Sequence, residues 1–164
     1  MPITLQILAP VPAATGAAQA LVLGDRSTPG PIVVHFFASW CESCRRELPA
    51  LTRLSRRLAG SGVQVVLVAV ADVEARLDRV FQDLEPPGPI LMDRHRAAAR
   101  AFQVEVLPTS LVLMGGVPKL SAAGEVAWDE TSVEDLLRRL ARETARPSRD
   151  SSRPSDAGSP VADQ

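Results

Sequence analysis

At 164 residues, 46% of them apolar, the chain has the length and the material for one domain with its own core. A formal net charge of −1, no tyrosine and few other aromatics exclude the charge surplus and stacking surface on which nucleic-acid or anionic-membrane binding relies. No apolar run approaches a membrane span, and Lys119 is the only lysine among 18 basic residues, a bias with no mechanism attached.

In chain order, residues 3–8 read as a short strand by alternation and β-branching, 10–18 as a loop and 21–23 as a second short strand ending at Gly24-Asp25. The N-terminus has no positively charged region, and Pro10 and Pro12 interrupt the apolar stretch before the cleavage-like Ala17-Ala18-Gln19-Ala20, so no signal peptide is visible. After Thr28-Pro29-Gly30-Pro31, the run 32–38 is apolar on both faces, the pattern of a central strand covered by helices on each side. Leu48, Leu51, Leu54 and Leu58 recur at helical spacing over 44–58 with arginines on the other face, and Pro49 is expected to kink that helix. Gly60-Ser61-Gly62 ends it, and 63–70 is a second buried strand. Asp72 is the expected N-cap of an amphipathic helix carrying Val73, Leu77, Val80, Phe81 and Leu84, broken at Pro86-Pro87-Gly88-Pro89.

A short apolar piece at 90–92 and a helical stretch at 97–102 precede a strand at 110–114, a Gly115-Gly116 turn and a hairpin partner within 117–126. Thr131 or Ser132 opens a last helix with Leu136, Leu137 and Leu140 on one face. Residues 144–164 are rich in Arg, Pro, Ser, Asp and Gly and almost without large apolar side chains, so they are expected to form a disordered tail. The domain is then 1–143, with 1–30 an N-terminal hairpin or extension. Alternating strands and helices argue for an α/β domain: a parallel core pair joined by a helical crossover, with antiparallel edges added later.

The chemistry is concentrated in Trp40-Cys41-Glu42-Ser43-Cys44, which holds the only two cysteines of the chain. The pair follows a buried strand and opens a helix. Its spacing is one helical turn, so the sulfurs can form a disulfide without distorting the backbone. Unpaired N–H groups and the macrodipole at a helix N-terminus favour a thiolate on the first cysteine. With both cysteines in one motif, no structural disulfide framework remains, and cysteine usage does not settle the compartment. Half of a zinc site is the plainer alternative. It needs two further ligands, and His35 and His95 lack typical spacing to the pair.

Residues 34–49, Val-His-Phe-Phe-Ala-Ser-Trp-Cys-Glu-Ser-Cys-Arg-Arg-Glu-Leu-Pro, resemble the thioredoxin superfamily, and most of all its TlpA/ResA/DsbE-like thiol–disulfide oxidoreductases. Phe36, Ala38, Trp40, Cys41, Cys44, Arg45, Glu47 and Pro49 fit that pattern, while Phe37 replaces the usual Trp. A second landmark, Val104-Glu105-Val106-Leu107-Pro108-Thr109-Ser110, resembles the family's cis-proline segment. The resemblance runs from about residue 3 to 142. It implies a thioredoxin-like three-layer fold, a central mixed β-sheet flanked by helices. It also implies disulfide exchange with protein thiols, more in the sense of a reductant, with Cys41 attacking, Cys44 resolving and no cofactor beyond that disulfide.

Further roles follow from the same resemblance. Leu107 and a cis Pro108 would face the cysteines and present backbone to substrate, and Trp40 would cover Cys41 as part of the substrate surface. Glu42 and Ser43 lie where they can tune the redox potential. The Glu42 charge opposes a thiolate, and Ser43, in place of the proline of many relatives, adds an N–H and a hydroxyl. Glu47 would assist proton transfer; the alternative is a solvated helix carboxylate paired with an arginine. His35 stands six residues before Cys41, where thioredoxin has a buried acid. It is expected in or near the core, either accepting a proton from Cys44 or serving as a hydrogen-bonded core histidine. Trp128 and His95 carry no functional signal.

Expected partners are protein thiol or disulfide substrates and an electron donor, a DsbD-type membrane transporter or, in the cytoplasm, thioredoxin reductase. No nucleic acid, metal or membrane span is expected, and the expected state is a monomer. The resemblance implies an extracytoplasmic or periplasmic location if a leader has been removed, and a cytoplasmic one otherwise. Two other functions compete. A peroxiredoxin-like peroxidase would need Pro-x-x-x-Thr-x-x-Cys, and residues 34–41 lack both the Pro and the Thr. A thioredoxin-fold binding or chaperone module would leave an intact Cys-x-x-Cys pair and Pro108 without a use.

Overall fold

The computed structural model describes residues 3–8 and 21–23 as backbone and 29–146 in full. The expected loop at 10–18 and tail from 147 onward lie outside the described residues. Eleven elements follow one another: β1 (Ile3–Leu8), β2 (Leu21–Leu23), β3 (Pro31–Phe37), α1 (Glu42–Arg57), β4 (Gln64–Val70), α2 (Glu74–Val80), β5 (Ile90–Asp93), α3 (Ala97–Ala101), β6 (Thr109–Met114), β7 (Val117–Ala123) and α4 (Thr131–Ala145).

They build a seven-stranded mixed sheet of order β2-β1-β5-β4-β3-β6-β7. The core strands β3, β4 and β5 are parallel, β6 and β7 add an antiparallel hairpin on one side, and β1 and β2 add antiparallel strands on the other. At the β6–β7 turn, Gly115 and Gly116 both have positive φ (57° and 74°), as a two-residue type I′ hairpin connection requires.

β3 is buried along its whole length because helices cover both sheet faces. Alternation sends Val33 and Phe37 into the layer beneath α1, α2 and α4, and Ile32, Val34 and Phe36 into the layer beneath α3. Leu48, Leu51, Leu54 and Leu58 are all buried on the first layer, each contributing roughly 1.5–3 kcal/mol of apolar burial. α1 runs through Pro49.

Three sequence expectations shift. The piece at 90–92 is a full parallel strand; its neighbour β4 satisfies the backbone of a run too short to be identified alone. α2 stops at Val80, while Phe81 and Leu84 still pack on the core from irregular backbone. α4 continues through Ala145, past the boundary expected at 144.

Candidate active site at the β3–α1 junction

Cys41 is the N-cap residue of α1, with extended backbone (φ −93°, ψ 111°), and it forms a disulfide with Cys44 across a Cα separation of 5.3 Å. The two sulfurs differ in access: Cys44 is wholly buried, whereas Cys41 is partly exposed. The Cys44 backbone N–H and the Ser43 hydroxyl each lie 3.3 Å from Cys41 Sγ as donors. The same two donors, with the helix N-terminus behind them, favour negative charge on Cys41 once the disulfide opens.

The Leu107 carbonyl oxygen stands 3.8 Å from Cys41 Sγ, and the Leu107–Pro108 peptide is cis. Trp40 is 54% exposed beside it, a large apolar side chain presented to solvent. Glu42 points into water and pairs with Arg46 at 3.6 Å, so solvent and the guanidinium both screen its charge from the sulfurs.

One helical turn along α1 from Cys44, Glu47 enters a buried polar group built by three elements. His35 on β3 is fully buried, and the strand register sets it opposite Ser110 on β6, whose Oγ is 2.9 Å from Nδ1. Its Nε2 is 3.2 Å from Glu47 Oε1, and Glu47 Oε2 accepts the Val126 N–H at 2.9 Å. Trp128 closes the group, its ring edge-on to the imidazole at 6.1 Å between centroids.

Burial pushes the His35 pKa down to about 3, so the imidazole is neutral. Burial also raises the Glu47 carboxyl, opposed by the Val126 N–H and the Trp128 indole, with the Glu125 charge adding to the rise. Among the described residues, His35 Nε2, Glu47 Oε1 and Trp128 Nε1 are the buried side-chain polar atoms without a well-formed hydrogen bond. Proton placement across the first two is coupled. A proton on Nε2 accompanies a Glu47 carboxylate, whereas one on Nδ1, with the Ser110 oxygen accepting, accompanies a carboxylic acid donating to Nε2.

Glu47 is therefore no solvated helix carboxylate held by an arginine, the alternative that sequence left open. α1 carries Cys44 and Glu47 on one buried stripe at i, i+3 spacing. His35 reaches the thiol pair's surroundings through that carboxylate.

Asp72 corrects another expectation. The N-cap position of α2 is Val73, and the Asp72 side chain turns back across the sheet end. There it accepts the Ser39 N–H at 2.5 Å, the Ser39 hydroxyl at 2.7 Å and the Val73 N–H at 2.8 Å. A carboxylate's partner 33 residues away leaves no trace in local sequence pattern. Asp72 thereby clamps the loop that carries Trp40 and Cys41. Asp72→Ala strands these buried donors, and a loss of about 2–3 kcal/mol is expected, read as a fall in Tm of about 5–10 °C.

Ser110, Val126, Trp128 and Asp72 are thus the site residues that sequence reading did not single out. His95, exposed in the turn before α3, is apart from the site. Among the described residues, no His/Cys/Asp/Glu group is placed to hold a metal ion, and no helix is long and apolar enough to cross a membrane.

Known proteins resemble this chain in sequence and in fold. The chain is 24% identical over 82 residues to the thiol-disulfide oxidoreductase ResA of Bacillus subtilis, a stretch covering 50% of this chain and 46% of ResA. It spans about half the length of that curated relative. Among solved structures, a putative thiol:disulfide interchange protein DsbE from Chlorobium tepidum superposes with a TM-score of 0.64 at 24% identity, covering 86% of this chain and 98% of that one. StoA from Bacillus subtilis superposes with a TM-score of 0.63 at 15% identity, covering 84% and 94%. These likenesses make the fold thioredoxin-like. The AhpC/TSA family profile matches residues 11–117, a span that holds β3, the cysteine junction and the cis-proline segment, and the chain belongs to the AhpC/TSA family.

Proposed function

We propose that this chain is a thiol–disulfide oxidoreductase acting on protein disulfides, in the reducing direction. The observation that carries the proposal is the asymmetry of the sulfur pair: Cys41 accessible at a helix N-terminus, Cys44 buried behind it. Cys41, as thiolate, attacks a substrate disulfide and forms a mixed disulfide, releasing one substrate thiolate that takes up a proton. Cys44 then gives up its proton, attacks Cys41 Sγ and expels the second substrate thiol. Two electrons pass to the substrate and the Cys41–Cys44 disulfide remains.

The proton leaving Cys44 needs an acceptor in a buried setting. Glu47 suits the role, since burial raises its carboxyl above the ordinary carboxylate value and so makes it a better proton acceptor. A shallow depression lined by Arg46, Glu47, Glu125 and Trp128 gives that proton a way to solvent. His35 acts through Glu47 as a positioning residue. Glu47→Gln is expected to slow the resolving step about a hundredfold and to remove an inflection from its pH profile. His35→Asn should displace that inflection, and an unchanged profile would remove His35 from the mechanism.

Leu107, Pro108 and Trp40 form the surface that receives the substrate chain, and Ser43 tunes the pair through its hydrogen bond to Cys41. An extracytoplasmic location, a DsbD-type electron donor and a monomeric state complete the proposal. The peroxidatic Pro and Thr are absent from residues 34–41, so family membership carries no peroxide chemistry into it.

Insulin reduction driven by dithiothreitol tests the activity. Equilibration of the Cys41–Cys44 pair against glutathione tests its direction. A potential near roughly −270 mV supports a reductant, and one near roughly −120 mV makes the chain an oxidant.

A further inference from the structure

Beside the cysteines, on the side of α2, lies a cleft of about 470 Å³ that the exchange chemistry does not use. Its apolar lining is Trp40, Leu48, Val80 and Leu84, and its charged lining is Arg45, Arg76 and Arg79. Arg76 and Arg79 sit at i, i+3 on α2 and so share a face, and Arg45 comes from the first turn of α1.

These three guanidiniums differ from the arginines along the rest of α1. Arg46, Arg53, Arg56 and Arg57 each pair with a carboxylate from another element, respectively Glu125, Asp129, Glu85 and Glu134. No carboxylate lies within ion-pair distance of Arg45, Arg76 or Arg79 among the described residues. Three neighbouring acids are engaged elsewhere, Asp72 with Ser39, Glu74 with Arg94 and Glu42 with Arg46, and Asp78 and Asp83 form no ion pair with these arginines. A chain of net charge −1 thus gathers three guanidiniums without an ion-pair partner among the described residues around an apolar floor at its reactive end.

Ser39 and Trp40, the two residues before Cys41, and Arg45, one turn after it, all line this cleft, so it borders the segment that carries the attacking sulfur. An extended peptide advances roughly 3.3 Å per residue. Side chains within a few residues of a substrate cysteine therefore reach the cleft while that cysteine is on Cys41. We infer that Arg45, Arg76 and Arg79 form a specificity subsite for polypeptide substrates carrying carboxylates, next to an apolar side chain, close to the disulfide to be exchanged. The inference rests on the proposed oxidoreductase activity and adds the class of substrate. Guanidinium forks bind carboxylates in pairs of parallel hydrogen bonds, and the cluster's field accelerates encounter with an anionic segment.

The test uses the full chain with three disulfide peptides that differ only beside the cysteine, where each bears two glutamates, two glutamines or two lysines. Oxidised glutathione and hydroxyethyl disulfide serve as small-molecule comparisons. The acidic peptide is expected to exceed the glutamine peptide about tenfold in kcat/KM, with the lysine peptide lowest. That advantage should vanish between about 0.01 M and about 1 M salt, as the Debye length falls from roughly 30 Å to roughly 3 Å. In Arg76→Glu/Arg79→Glu the order of acidic and lysine peptides should invert; the salt series on the unaltered chain reads the same effect without a variant.

Equal rates for the three peptides, with exchange intact, overturn the subsite. So does a preference for oxidised glutathione over every peptide that depends on the same arginines, because the occupant is then a small anionic disulfide. Failure to exchange any disulfide, hydroxyethyl disulfide included, sinks the oxidoreductase reading itself and the subsite with it.

Discussion

Cys41→Ser is expected to reduce disulfide exchange to background, a loss of about a thousandfold or more, while Cys44→Ser turns the chain into a trap for its own substrates. The asymmetry follows from burial. Only Cys41 offers a sulfur to a substrate, so its removal eliminates the nucleophile. Cys44 has no exposed surface and reaches a substrate only as the mixed disulfide on Cys41. With serine at Cys44, the mixed disulfide forms and persists. Non-reducing electrophoresis and intact-mass measurement of the Cys44→Ser protein, after incubation with oxidised insulin, read this directly. Adducts on Cys41→Ser and none on Cys44→Ser would reverse the two roles.

Stability should fall as the solution is acidified from pH 6.5, by about 2–4 kcal/mol by pH 4, and His35 is the main cause. In the folded chain its pKa is pushed down to about 3 by burial, against 6.5 when exposed. Between those values the unfolded state binds a proton that the folded state refuses. The contribution of a neutral His35 is therefore complete above pH 6.5 and is lost as pH falls toward the folded value.

Glu47 acts in the opposite sense. Its folded pKa is raised, so its contribution is present below the ordinary carboxylate value and is lost as pH rises through the raised one. Denaturant unfolding at several pH values separates the two. His35→Asn should flatten the acid slope, and Glu47→Gln should steepen it. An acid slope that persists undiminished in His35→Asn would place the titrating group elsewhere.

Much of the fold is legible along the chain because its signals are local. The both-face apolar run at 32–38, the leucine period after Cys44 and the paired glycines at 115 and 116 each report the environment of their own element. The cysteine pair is legible for the same reason: spacing and position at a strand–helix junction are short-range facts. β5 and the end of α2 were harder. A four-residue strand is stabilised by its neighbour, and Phe81 and Leu84 satisfy the core equally well from a helix or from irregular backbone. The aim of the Asp72 carboxylate depends on backbone N–H groups brought to it by the packing of β4 against β3.

By itself the sequence determined the reactive pair and the α/β alternation, since each is written in adjacent residues or in periodicity, while the proline facing the sulfurs was implied only by the family resemblance. Tertiary structure decided which sulfur meets solvent, that Glu47 turns inward to His35 rather than outward to an arginine, and that three arginines from two helices surround one cleft. Those outcomes depend on burial and on the register between β3 and β6. Both are properties of distances between residues up to 79 positions apart in the chain, which no local pattern encodes.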